Sequence, residues 1–224
     1  MPETQKLTLY YFPRACSLAP HIAIEESGYS YERKLIDLTA AENKGADYLA
    51  LNQLGVIPAL SVGDWLLTET HSILTYIADT APNGPMLPPI GKRDRYRAHQ
   101  WMNFLSSTIH TYIRSIFRPS AYAPLDDQPA QAAVRKKGQM NLVAAVNTLE
   151  NRLTGTEWTL GNTYSVVDAY MFIMFLWSED IRIDLVPDRP KWAAIAERVW
   201  QRPAVKDVVA IEQQDRDFAI PFDK

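Results

Sequence analysis

The sequence predicts an α/β domain followed by an all-helical domain, and two observations lead to this prediction. Within the first 80 residues, short apolar runs alternate with helical patterns in the order β-α-β-α-β-β-α. After the segment APNGPMLPP, which has four prolines and a glycine in nine residues, strand patterns disappear and helical patterns follow one another. We therefore expect domains at residues 1–83 and 93–224, joined by a linker at 84–92.

The first domain begins with a short apolar strand at residues 7–11, which ends before Pro13. A helix is predicted over residues 17–26, with Ser17 as its N-cap and Pro20 in the first turn, where a missing N–H is tolerated. The pattern then predicts a strand at 31–38, a short helix at 46–54, a hairpin at 59–67 and a helix at 72–80.

The second domain shows four helix-length patterns, at residues 94–117, 129–153, 165–177 and 191–200. The third has the pattern of a capping box, in which Ser165 and Asp168 bond each other's backbone N–H groups. We expect this pair to stabilise the helix and assign it no catalytic role.

Composition and charge exclude several classes of function. The 224 residues are 47% hydrophobic and 22% charged, which is the balance of a globular protein with ample core material. A formal net charge of −3 without a long basic run argues against nucleic-acid binding. No signal-peptide pattern is present, and the most apolar stretch, residues 169–177, is too short to span a bilayer. We expect a soluble, cytoplasmic protein with no nucleic-acid or membrane partner.

Cys16 is the only cysteine, so an intramolecular disulfide is impossible, and the four scattered histidines lack metal-ligand spacing; no metal is expected. Cys16 lies between the first strand and the first helix, where unpaired N–H groups and the helix dipole favour a thiolate or a bound sulfur anion. Arg14 adds positive charge nearby. A free cysteine is also a common small core residue, and the sequence alone leaves both interpretations open.

Pro58 also permits two interpretations. Proline is favoured at the start of a strand because it cannot donate to the ladder. A cis bond after Ile57, which would expose its backbone as a pairing edge, is the less common alternative.

Glu69 and Thr70 precede a predicted helix, and His110 lies within another. Thr70 or Ser72 can cap the first helix, or the pair at 69–70 can receive an ammonium group and a carboxylate. His110 shares its helix face with polar residues at 103, 106, 107 and 114, as in a cleft, although a lone histidine needs no functional explanation.

Six motifs in order resemble the cytosolic glutathione transferases, most closely the bacterial beta class. They are YYFPRACSLAPHIAI, NQLGVIPAL, LTETHSILTYIAD, WMNFLSSTIH, SVVDAY and WQRPAV, spread over residues 9 to 209. The resemblance implies a thioredoxin-like N-terminal domain (βαβαββα) and an all-α helical C-terminal domain. It also implies a homodimer that uses glutathione as co-substrate.

By position, the resemblance assigns roles to candidate residues. Cys16 matches the cysteine that faces the glutathione sulfur. Ile57 matches the residue before the cis-proline, here Pro58, and the backbone of this residue before the proline pairs with the cysteinyl part of glutathione. Glu69 and Thr70 match the pair that holds the γ-glutamyl group.

The helical domain supplies the remaining matches. His110 corresponds to a histidine close to the sulfur, and Asn103 to an asparagine that approaches the glutathione of the neighbouring subunit. Trp177 falls near the hydrophobic-substrate pocket, together with Phe12 and Arg14 from the first domain.

Three positions depart from the family pattern. Arg14 stands where the family often has glycine, a lysine after IDL is missing while Lys44 is shifted, and Thr111 replaces a basic residue. The glycyl carboxylate of glutathione is therefore expected to be held less tightly, or by Lys44 or Arg14.

The leading hypothesis is a glutathione transferase, a detoxifying enzyme that joins the glutathione thiolate to small apolar electrophiles, with Cys16 and His110 at the reacting sulfur. An alternative is a glutathione-dependent thiol-disulfide or peroxide reductase that uses Cys16 through a mixed disulfide. A third hypothesis is a non-catalytic carrier of apolar ligands.

Overall fold

A computed structural model describes residues 6–181 and 188–222. The first domain contains β1 (Leu7–Tyr11), α1 (Leu18–Ser27), β2 (Tyr31–Leu35), α2 (Ala46–Leu51), β3 (Ala59–Val62), β4 (Trp65–Thr68) and α3 (Thr70–Thr80). Its sheet has the order β2-β1-β3-β4, with β1 parallel to β2 and antiparallel to β3, and with β3 antiparallel to β4. The predicted order of elements is confirmed.

The second domain is helical in its described part. It contains α4 (Arg93–Phe104), α5 (His110–Phe117), α6 (Gln128–Arg152), α7 (Val166–Asp180), α8 (Pro190–Trp200) and α9 (Pro203–Asp215). The single helix predicted over 94–117 is interrupted, because residues Leu105–Ile109 form a π-helical turn between α4 and α5. The sequence analysis did not predict α9.

Ser17 does not cap α1, contrary to the prediction. Its backbone is itself helical (φ −61°, ψ −19°), and its hydroxyl bonds both the N–H and the C=O of Phe12, at 3.2 and 3.1 Å. The serine therefore closes the loop between β1 and α1. The capping box of α7 is present as predicted, with Ser165 and Asp168 each bonding the other's backbone.

The two domains share an apolar core. α7 is buried along almost its whole length and packs against α1 of the first domain and against α8. Trp192 of α8, fully buried, donates from its indole N–H to the carbonyl of Met171 at 3.1 Å. Among the described residues, no helix is both long and apolar enough to cross a membrane.

Candidate active site

The residues predicted as a site come together on one cavity. The cavity has a volume of about 1090 Å³ and is lined by both domains. All ten predicted residues line it: Phe12, Arg14, Cys16, Ile57, Pro58, Glu69, Thr70, Asn103, His110 and Trp177. Their individual roles stay predictions. Within the described part of the chain, no group of three or more His, Cys, Asp or Glu residues is arranged to hold a metal ion.

Cys16 lies just before α1 with its side chain only 8% exposed. Burial raises the pKa of its thiol to about 11; the Thr70 hydroxyl acts in the opposite direction, and the Glu69 carboxylate raises the pKa further. The thiol donates to the carbonyl of Ile57 across 3.5 Å. Burial of the thiol contradicts the expectation of a thiolate in the free protein, whereas the expectation that this position favours a bound sulfur anion stays a prediction.

The Ile57–Pro58 peptide bond is cis, the alternative that the resemblance implied. The loop before this bond is held by one side chain of α2 and one that directly follows the helix. Tyr48 and Asn52 each donate to the carbonyl of Val56 at 2.8 Å. These bonds position the backbone of Ile57, whose carbonyl the thiol of Cys16 meets.

Lys44 is engaged elsewhere. Its ammonium group donates to the carbonyl of Gly55 at 3.0 Å and, more weakly, to that of Leu54 at 3.5 Å. The lysine does not line the cavity. The structure therefore gives no support to Lys44 as the cation for the glycyl carboxylate.

α3 begins at Thr70, two residues earlier than predicted, and neither Thr70 nor Ser72 caps it. Glu69 precedes the helix with a left-handed backbone (φ 68°), an unusual conformation for a non-glycine residue that is often found at functional sites. The Thr70 hydroxyl acts to lower the pKa of both Cys16 and Tyr170, against the larger effect of burial. Burial raises the pKa of Tyr170, which remains a neutral phenol beside the cysteine.

His110 begins α5, immediately after the π-helical turn. Its ring contacts that of Trp177 edge to face, with centroids 5.0 Å apart. Burial lowers the pKa of His110 to about 4, and the nearby charge of Arg114 acts in the same direction. At neutral pH the imidazole is uncharged and can donate one hydrogen bond, but it is a poor base.

Asn103 belongs to a chain of hydrogen bonds that the sequence analysis missed. Arg95 forms two 2.6 Å bonds with Asp79 and donates to Nε2 of His99 at 3.0 Å. A guanidinium can only donate, so the proton of His99 lies on Nδ1 and is donated to Nε2 of His71 at 2.8 Å. His71 in turn donates from Nδ1 to Oδ1 of Asn103 at 2.9 Å. Burial lowers the pKa of both histidines, which favours this neutral chain.

Arg14 connects the two domains and does not act as a free cation. Its guanidinium pairs with the carboxylate of Asp180 through two bonds of 3.0 and 2.5 Å. Its backbone N–H donates to Glu212, whose other oxygen contacts the buried His21 at 2.8 Å, and its carbonyl accepts from Trp177. Because Asp180 neutralises Arg14, the structure gives no support to Arg14 as the cation for the glycyl carboxylate of glutathione.

The fold defines a class of protein, in which a thioredoxin-like first domain and a helical second domain together line a cavity. The model of the glutathione S-transferase N-terminal domain matches residues 5–79, and that of the C-terminal domain matches residues 105–203. The chain belongs to the glutathione S-transferase family and is a glutathione transferase.

Named relatives and solved structures agree with this assignment. The chain is 32% identical to glutathione S-transferase GstA of Escherichia coli O157:H7, covering 92% of this chain and 98% of that protein. It resembles the beta-class glutathione S-transferase of Sphingomonas chungbukensis, with 33% identity, a TM-score of 0.77 and coverage of 92% and 98%. It also resembles a sphingomonad glutathione S-transferase complexed with glutathione, with 35% identity, a TM-score of 0.78 and the same coverage.

Proposed function

We propose that this transferase joins the sulfur of glutathione to small apolar electrophiles. The glutathione thiol loses its proton to solvent, and the thiolate forms a bond to an electrophilic carbon while the leaving group departs with its bonding electrons. The supporting observation is the protonated, buried thiol of Cys16, which donates to the Ile57 carbonyl. A group in this state can donate a hydrogen bond to a bound sulfur anion but is a weak nucleophile itself.

The proposed position of glutathione follows from the same cavity. Its sulfur would lie between Cys16 and the neutral His110. The thiol of Cys16 would turn from the Ile57 carbonyl toward that sulfur, and its S–H and an N–H of His110 would stabilise the negative charge there. Its cysteinyl backbone would pair with Ile57, beside the cis Pro58, and its γ-glutamyl group would meet Glu69 and Thr70.

The second substrate would occupy the aromatic part of the cavity, near Phe12 and Trp177. We further propose that the enzyme works as a homodimer, in which Asn103 approaches the glutathione of the other subunit. It would act in the cytoplasm on electrophiles that the cell must detoxify, with glutathione as co-substrate and without a metal.

Two alternatives make different use of the cavity. A glutathione-dependent reductase would need the thiolate of Cys16 to attack a disulfide, with a second glutathione resolving the product, and a thiol pKa of about 11 opposes this first step. A non-catalytic carrier would bind apolar ligands without affinity for glutathione.

Replacing the cysteine separates these functions. Cys16→Ala should keep conjugation of chlorodinitrobenzene within about tenfold of the parent, since one weak hydrogen bond is lost. Reduction of a glutathione mixed disulfide should stay near background in both proteins. Complete loss of conjugation in Cys16→Ala would contradict the proposed role of Cys16. Measurable disulfide reduction by the parent that Cys16→Ala loses, with conjugation retained, would favour the reductase.

A binding measurement addresses the carrier. Glutathione titrated against the parent protein should quench the fluorescence of Trp177, which lines the cavity. The Trp177→Phe variant is the matched control and should lose most of this quenching. Binding of apolar ligands with no response to glutathione in either protein would favour the carrier.

A further inference from the structure

The outer wall of the cavity combines aromatic rings with arginines. Phe117, at the end of α5, packs against Trp177 with ring centroids 6.4 Å apart, and Trp177 in turn packs against His110. Arg114 and Arg118, four residues apart in sequence, both line the cavity and are exposed. A ligand resting on the aromatic rings would therefore have guanidinium groups within reach.

These two arginines differ from the other arginines of the cavity. Arg14 is neutralised by Asp180, and Arg216 lies over the ring of Phe12 and is followed by Asp217, which also lines the cavity. Within residues 6–181 and 188–222, neither Arg114 nor Arg118 forms an ion pair. Their charge is available to a ligand.

The spacing of His110 and Arg114 along α5 matches the length of one substituted aromatic ring. Arg114 is one helical turn beyond His110, an advance of about 6 Å along the axis. It lies close enough to His110 to contribute to the lowered pKa of that imidazole. With its reactive carbon beside His110, a ring would direct a substituent on its far side toward Arg114, and Arg118 also lines the cavity.

We propose that the second-substrate side of this cavity selects aromatic electrophiles that carry an anionic group, a carboxylate or a sulfonate. The inference rests on the proposed conjugating function and extends its substrates from apolar electrophiles to aromatic electrophiles that carry one anionic group. Arginine suits this task, because its planar guanidinium both bonds a carboxylate through two parallel N–H groups and stacks on aromatic rings. Arg114 and Arg118 are the specificity-determining residues.

The test compares two electrophiles that differ by one charge. Chlorodinitrobenzene is neutral, and the corresponding chlorodinitrobenzoate carries one carboxylate; each kcat/KM is divided by the uncatalysed rate with glutathione. The parent enzyme should prefer the benzoate by about tenfold, the difference expected from one charge-assisted hydrogen bond. The preference should shrink at high salt, because the arginines are exposed.

Variants assign the preference to particular residues. Arg114→Gln and Arg118→Gln should each lower the ratio of the two normalised values several-fold, and Arg114→Glu should lower it below one. Arg135→Gln is the matched control: this arginine is exposed on α6, does not line the cavity, and should leave the ratio unchanged.

The outcomes distinguish this inference from the function on which it rests. Conjugation of both electrophiles with no preference for the benzoate, or with a preference that the Arg114 and Arg118 variants do not alter, would overturn the inference alone. Failure to conjugate either electrophile would overturn the proposed function and the inference together.

Discussion

The thiol of Cys16 should react slowly with alkylating reagents, and its rate should keep rising with pH. With a pKa of about 11, roughly one molecule in ten thousand carries the thiolate at neutral pH. An unperturbed thiol of pKa 9.0 would have about one in a hundred. Ionisation alone therefore predicts a rate about a hundredfold below that of an ordinary thiol. Because the thiolate is the reactive form, the rate should rise about tenfold per pH unit until the pH approaches the pKa.

Iodoacetamide and intact-protein mass spectrometry provide the assay, since Cys16 is the only cysteine and one adduct reports it. Steric protection of this buried side chain lowers the rate equally at every pH, so the pH profile is the decisive measurement. Glu69→Gln removes a carboxylate that raises the pKa and should increase the rate several-fold at a given pH. Glu157→Gln, at an exposed position outside the cavity, is the control and should not. A plateau beginning near pH 9 would refute the reasoning.

Three further predictions concern other contacts of the site. Between about pH 7.5 and 5, the free energy of unfolding of the parent should fall as His110 is protonated in the unfolded chain. In His110→Gln this fall should be smaller by about 2 kcal/mol. The pKa of His110 is lowered to about 4 in the folded protein, so the unfolded chain takes up the proton first as the pH falls below about 6.5. Urea unfolding at one protein concentration measures the free energy of unfolding at each pH. The same pH dependence in the variant and the parent would contradict the prediction. A double-mutant cycle of Arg14→Gln and Asp180→Asn should give a coupling free energy of about 1 kcal/mol, reduced by the partial exposure of Asp180, and strict additivity would argue against the pair. His71→Ala should raise the KM for glutathione about fivefold with little change in kcat, because Asn103 loses the donor that orients it. An unchanged KM would show that the hydrogen bonds from Arg95 to Asn103 serve stability alone.

Much of the fold could be predicted because apolar periodicity is a local property. The alternation of strands and helices in the first domain is visible in runs of a few residues. α9 was missed for the opposite reason. One of its buried positions is Glu212, and a buried carboxylate becomes intelligible only when His21, 191 residues earlier, is seen beside it.

In the candidate site, too, some features could be predicted from local sequence and others required the fold. Motif order indicated Cys16, Ile57 and His110, and the structure brings all three to one cavity. The thiolate expected at Cys16 is not supported, because the sequence shows the nearby helix start and not the burial that raises the pKa of the thiol. The link between His71 and Asn103 could have been suspected from the four-residue spacing of Arg95, His99 and Asn103 on α4, but the partner on α3 required the fold.

The contacts that hold Arg14 also affect how the two domains of such a protein can evolve. The loop that carries Cys16 is tied to Asp180 and Glu212, and α1 is buried against α7. An N-terminal domain exchanged with that of a relative would leave a carboxylate at 180 and a buried one at 212 without their partners, unless the donor happened to supply both. Recombination at the linker should therefore yield unstable chimaeras. The sequences of the two domains should evolve together, without exchange of one domain between relatives.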